Sequence, residues 1–274
     1  MARVVLTPAL RGEYVQLFDS CRIRPERGDE VESLVKQLLN NQPRYEKVAE
    51  ALGIPWSFIA VIHNMESSQS FHKHLHNGDP LTARTVQQPP GRPKNGSPPF
   101  TWEQSAADAL QLKRLGADTD WSLAGTLYQL ERYNGFGYRL YHPHVLSPYL
   151  WGFSNHYSSG KYVADGTWSD SAVSKQCGAA VLLRRMAERI AAAADAAREA
   201  DRIALKEMRE LNRQSNAAMS RAVGTLRAKE DERNHLLNAI GIAILARVLL
   251  GAGDAAIFPA VLRLVATWFP AQRG

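Results

Sequence analysis

Ile54-Pro55-Trp56-Ser57-Phe58-Ile59-Ala60-Val61-Ile62-His63-Asn64-Met65-Glu66 is an apolar run that ends on an acid. Pro55 suits the first turn of a helix, where a missing N–H costs nothing. Ile59, Ile62 and Glu66 then fall at i, i+3 and i+7, on one helical face. That face is otherwise built for a core, so the carboxyl would lie against apolar neighbours. Desolvation disfavours the charged form and raises the pKa, as a general acid needs near neutral pH. The alternative is a glutamate just past the buried stretch, ending the helix and pointing to water.

Outward from this run the front half reads as further helices, over residues 30–39, 44–52, 101–115, 122–133 and 171–190. Thr101 is an N-cap with Gln104 as its capping-box partner. Residues 87–99 are too rich in Pro and Gly for regular structure, and the best strand signal, 82–86, is short. The fold class is therefore mainly α: a catalytic-size domain over 1–185 and a long helical C-terminal extension over 186–274.

Composition marks the boundary. The front half carries every tyrosine, whereas no Phe, Tyr or Trp occurs from Arg184 to Ile257. In the extension, Leu183, Met186, Ile190, Ala193, Ala197, Ala200 and Ala204 mark a heptad seam. It resumes at Met208, Leu211, Ser215, Ala218 and Ala222 after one stutter. A seam this rich in alanine suits a dimeric coiled coil, an antiparallel hairpin or packing on the front domain. Residues 236–269 are more apolar, but Arg247, Asp254 and Arg263 break them into arms short of the ~20 clean residues of a spanning helix. They read as buried or interfacial amphipathic helices.

The charge is concentrated in the same place. Residues 184–274 hold 15 Lys+Arg against 10 Asp+Glu, which is +5 of the chain's net +6. Such an excess suits an anionic surface, of which phospholipid or lipopolysaccharide is expected here rather than nucleic acid. The N-terminal residues show no apolar signal region, so a cytoplasmic product delivered by another route is expected. Two cysteines, Cys21 and Cys177, cannot form a disulfide framework and read as free thiols or as one bridge.

Past Glu66, the turn sequence Asn77-Gly78-Asp79-Pro80 can hold the Asp79 carboxylate on a short loop across from the helix end. Two carboxylates across a groove are the basic apparatus of glycoside cleavage. Glu66-Ser67 at the end of an apolar helix resembles the Glu-Ser motif of the lysozyme-like superfamily, the goose-type lysozymes and lytic transglycosylases. Leu130-Glu131-Arg132-Tyr133-Asn134-Gly135 is similar to the segment that lines their sugar cleft, and Tyr162-Val163 to their downstream Tyr-Val. Residues 54–85, Pro99-Phe100-Thr101-Trp102 and Ser147-Pro148-Tyr149-Leu150-Trp151 resemble bacterial and phage peptidoglycan hydrolases of the endolysin type. The spacing departs in places: Phe71 follows the Glu by five residues rather than the usual three.

The resemblance implies a glycosidase acting on the β-1,4 glycan backbone of peptidoglycan at the cell wall, without a cofactor. Glu66 is expected as general acid and Asp79 as second carboxylate, with Asp165 in reserve. His76, Thr85, Tyr133, Asn134, Trp151 and Tyr162 are expected to hold the glycan. His72, His74 and His76 alternate, which would suit zinc on an extended segment, but they read as polar groove lining, so no metal is expected. Two rivals stand beside hydrolysis. One is a lytic transglycosylase, in which the substrate's own 6-hydroxyl closes on the anomeric carbon. The other is a membrane-active or interaction protein whose front domain only binds glycan, with self-association through the tail.

Overall fold

The computed structural model describes residues 4–164 and 166–250. The front unit, which ends at Asp195, is mainly helical. In chain order it contains α1 (Pro8–Ser20), α2 (Gly28–Asn40), α3 (Gln42–Leu52), α4 (Trp56–Ser67), α5 (Trp102–Leu112), α6 (Leu123–Asn134), α7 (Gly137–Tyr141) and α8 (Pro148–Trp151). A two-stranded antiparallel hairpin follows, β1 (Lys161–Ala164) and β2 (Thr167–Ser169), before α9 (Ala179–Leu250) begins.

The apolar run is α4, and it is buried nearly all round, from Phe58 to Met65. A helix that is hydrophobic on every side belongs at the centre of a fold. Its neighbours are α3 and α6. The surrounding helices start where local chemistry directs. Thr7 caps α1 through the Leu10 N–H, and Ser122 caps α6 through the Gly125 N–H. Thr101 and Gln104 close a reciprocal capping box on α5. Gly53, at φ 66°, ends α3, and a Cβ there would meet the Ala117 Cβ at 2.7 Å.

One polar knot lies inside this apolar frame. Glu131 on α6 is 3% exposed and accepts the Tyr14 hydroxyl of α1. Arg139 of α7 donates to it in a fork, Nε to Oε1 at 3.1 Å and Nη2 to Oε2 at 2.9 Å, and reaches Glu13 with Nη1 at 2.8 Å. Three helices are thereby fastened by a fully satisfied buried ion pair.

Two expectations from sequence are corrected. Residues 82–86 form no strand: the Thr85 N–H and hydroxyl, and the Val86 N–H, bond inside the loop, and the hairpin lies instead at β1–β2. The helix expected from 171 begins only at Ala179. Before it, the Gly178 N–H donates to the Gly152 carbonyl at 2.9 Å, and a Cβ on Gly178 would come 2.2 Å from the Leu150 carbonyl oxygen. That close approach of two backbones needs glycine and delays the helix.

The first turns of α9 belong to the front unit, with Val181, Leu182 and Met186 in its core and Arg185 paired with Glu32. The seam residues Leu183 and Met186 thus pack on the domain. The helix runs on through Leu250, 72 residues in all. In the second unit, from Ala196, Met208 is 64% exposed, and Leu211, Met219 and Leu226 are each 67% exposed. Among the described residues no single helix is long and apolar enough to cross a membrane. The second apolar arm expected from the sequence, 255–269, lies outside the described residues, as does Asp165. Cys21 and Cys177 are buried free thiols.

Candidate functional site

The end of α4 is where the core opens. Ser68 and Gln69 both take left-handed backbone, at φ 50° and 59°, and their N–H groups cap the Asn64 and His63 carbonyls. The Gln69 amide is fixed by the Asn64 side chain at 3.0 Å and the Leu34 carbonyl at 3.3 Å. This rigid stop leaves Glu66 half-buried in the last turn of the helix. Tyr149 of α8 donates its hydroxyl to Glu66 Oε1 at 2.8 Å. Gln176 donates its side-chain amide to the carbonyl of Met65 at 2.8 Å.

Burial pushes the Glu66 carboxyl above its ordinary pKa, against the opposing pull of the Tyr149 hydroxyl and the positive charge of Lys113. The Tyr149 phenol is raised well above its usual value by burial and by the Glu66 charge, so it stays a hydrogen-bond donor. Tyr133, also buried, is raised by the same two causes.

Tyr149, Gln176, Asn134, Tyr138, Lys161 and Tyr162 line a cleft of about 300 Å³. Behind two of its lining residues, Tyr138 and Tyr162, lies an aromatic cluster. Tyr162 meets Tyr138 and Trp168 edge to face at 5.5 and 5.2 Å, and Trp168 stacks flat on His142 at 3.5 Å. The β1–β2 pairing, Tyr162 opposite Trp168, sets this geometry. Of the residues expected from sequence, Asn134 and Tyr162 line this cleft together with Tyr149, whose hydroxyl binds Glu66. Tyr133 is buried within electrostatic reach of that carboxyl.

The other expected residues are engaged by their own loops and helices. Asp79 Oδ2 accepts the Val86 N–H at 2.8 Å, the Gln87 N–H at 3.1 Å and the Asn77 amide at 3.0 Å. Those bonds, the Val86 one first, hold its carboxyl below the usual range. It is a builder of the 77–87 loop. Gly78 in that loop sits against the backbone carbonyl of Glu66, so the loop meets the main chain of the helix end.

His76, at 1% side-chain exposure, gives Nε2 to Asp108 at 2.8 Å and Nδ1 to Ser105 at 3.4 Å. Thr85 is buried, donating to the Pro89 carbonyl and accepting from the Arg92 N–H. Trp151 is 1% exposed and belongs to the core. These three are enclosed by their own loops and helices and present nothing to a glycan. His74 uses both ring nitrogens, on Ser105 and on the Ala83 carbonyl, each at 2.8 Å. Among the described residues no three His, Cys, Asp or Glu side chains gather as a ligand set.

Sequence reasoning passed over Lys113, Gln176 and the partnership of Tyr149 with Glu66. The last two contacts span 111 and 83 positions, and no local pattern carries such a pairing. The chain matches no protein-family model, no curated protein and no solved structure.

Proposed function

We propose that the front domain cleaves the β-1,4 glycan backbone of bacterial peptidoglycan, with Glu66 as general acid. One observation supports this above the rest: a half-buried carboxyl, raised in pKa, is held by Tyr149, which itself lines a polar and aromatic cleft. Such a group keeps its proton to higher pH than a free carboxyl and can donate it to the leaving oxygen. Asn134 and Gln176 offer amides to sugar hydroxyls, and Tyr162 offers a ring face. As the bond breaks, positive charge grows at the anomeric carbon and negative charge returns to Glu66, where Tyr149 is already in place to receive it.

The engagement of Asp79 Oδ2 by the Val86 and Gln87 N–H groups and the Asn77 amide favours the second route, internal attack by the 6-hydroxyl, over a base-activated water. In that route Glu66, once deprotonated, can take the hydroxyl proton as the anhydro ring closes. The basic extension and its exposed apolar side chains support a role in association with an anionic envelope surface or with a second copy of the chain.

The deciding experiment digests purified murein and weighs the soluble fragments. Anhydro products, lighter by one water than hydrolytic ones, are expected, with none from Glu66→Gln. Fragments heavier by that water would restore hydrolysis. No release at all, from folded protein that still binds murein, would leave the domain a glycan-binding module.

A further inference from the structure

Beyond Asp195 the extension is one unbroken helix, the remainder of α9 to Leu250. It does not turn back on itself, so the antiparallel hairpin weighed from the sequence does not form over the described residues. Its exposed apolar side chains follow a line. Met208 and Leu226 stand 18 residues apart, about five turns at 3.6 residues each, and so lie one above the other. A line with that period runs straight along the helix, without the supercoil that a strict heptad imposes. At about 100° per residue, the other residues between 197 and 237 within about 20° of it are Ala197, Asp201, Ser215, Met219, Arg233 and Leu237.

We propose that this line is the contact surface of an antiparallel homodimer, with a second copy of α9 related by a two-fold axis at residue 217. Residues equally far from 217 then face each other. Ala197 meets the partner's Leu237 and Ser215 meets the partner's Met219, small against large at each layer, while Met208 meets the partner's Leu226. Asp201 and Arg233, each 16 positions from 217, are the two charged residues on the line, and Asp201 meets the partner's Arg233. Arg233 is available for this, since its contact with Glu230 on its own helix is 3.5 Å long, between side chains 67% and 64% exposed.

Charge sets both the orientation and the kind of partner. A parallel, in-register pair would set Asp201 against Asp201 and Arg233 against Arg233, like charges inside an apolar contact. An anionic lipid surface would take the apolar line but not a carboxylate set within it. A second copy running the other way supplies a cation at the level of Asp201. The contact, from 197 to 237, is about 60 Å long and exceeds the roughly three to four heptads that mark a sustained coiled coil. Of the two associations proposed above for the extension this is the second, and it holds whether or not the front domain cleaves murein.

Sedimentation equilibrium of the full chain should return twice the chain mass. Asp201→Arg and Arg233→Asp each set like charges face to face and should weaken dimerisation at least about tenfold, and the two together should restore it. In a parallel pair neither single exchange would alter the pattern of like charges. A spin label on Ala197→Cys should lie about 60 Å from its twin, against about 10 Å in a parallel pair; the enclosed thiols Cys21 and Cys177 do not compete for the label. That distance is measured with the native charges in place, so it decides the orientation even if a charge variant loses helix. A chain that stays monomeric, alone or on anionic phospholipid vesicles, would overturn the inference, as would labels close together or a double exchange that fails to restore association.

Discussion

Glu131 and Glu66 are both withdrawn from water in the front domain, on helices that pack together. Glu131 accepts from Tyr14 and from a forked Arg139, so its charge is matched on the spot. Glu66 receives one hydrogen bond, from Tyr149, and the more remote influence of Lys113. The first arrangement suits a carboxylate that fastens helices together. The second leaves a buried carboxyl with less compensation, at a cost in stability.

Exchanging the two residues for glutamine should separate these roles. Glu66→Gln should lower murein cleavage by about 10³-fold or more while leaving the fold intact. Burial raises the Glu66 pKa, so the stabilisation it offers is complete at acid pH and is lost as pH rises through the folded value. The glutamine variant should consequently melt above the wild type on the alkaline side and close to it in acid. Glu131→Gln should instead cost about 3–5 kcal/mol in urea unfolding, because it leaves Arg139 with half its matching charge. Cleavage per folded molecule should stay within about twofold. A Glu66→Gln variant that cleaves murein normally, or a Glu131→Gln variant as stable as wild type, would break the contrast.

A smaller effect is expected at the third carboxylate. Asp79→Asn should reduce cleavage less than tenfold, as the residue holds a loop rather than a reacting water. Its lowered pKa means that the loop is supported above the ordinary carboxylate range and released as pH falls through the depressed value. Amide exchange at Val86 and Gln87 should therefore quicken in the variant, and in acid for the wild type. A loss of a hundredfold would return Asp79 to the catalytic pair.

The smallest effect concerns the extension. Deleting 196–274 should move the melting temperature of the front unit by a few degrees at most, since that unit has its own core. Cleavage of purified murein should be retained, while binding to anionic vesicles or self-association should fall. A truncated protein that cannot fold would show that the extension stabilises the domain.

What could be read from the chain beforehand was what neighbours in sequence decide. The cap at Thr101, the proline entry to α4 and the facing of Glu66 follow from spacing. Fold class follows from the same periodicity. Tertiary competition was illegible. Tyr149 and Trp151 stand two residues apart on α8, yet one holds the acid and the other fills the core. Nothing local distinguishes them. His76 and Thr85 looked available because polar residues in a loop usually are. Asp108 and the Pro89 carbonyl, which occupy them, come from a helix and a turn further along the chain.

The two buried thiols offer a way to watch the cleft move. Cys177 stands between Gln176, which anchors the end of α4, and Gly178, which locks onto Gly152; Cys21 lies at the end of α1. Burial raises both thiol pKa values, so neither reacts while enclosed. A thiol reagent then measures how often each enclosure breathes, and labelling of Cys177 ahead of Cys21 would clock the wall beside Glu66 independently of global unfolding. The chain thus carries its own stopwatch for the rigidity that proton donation demands.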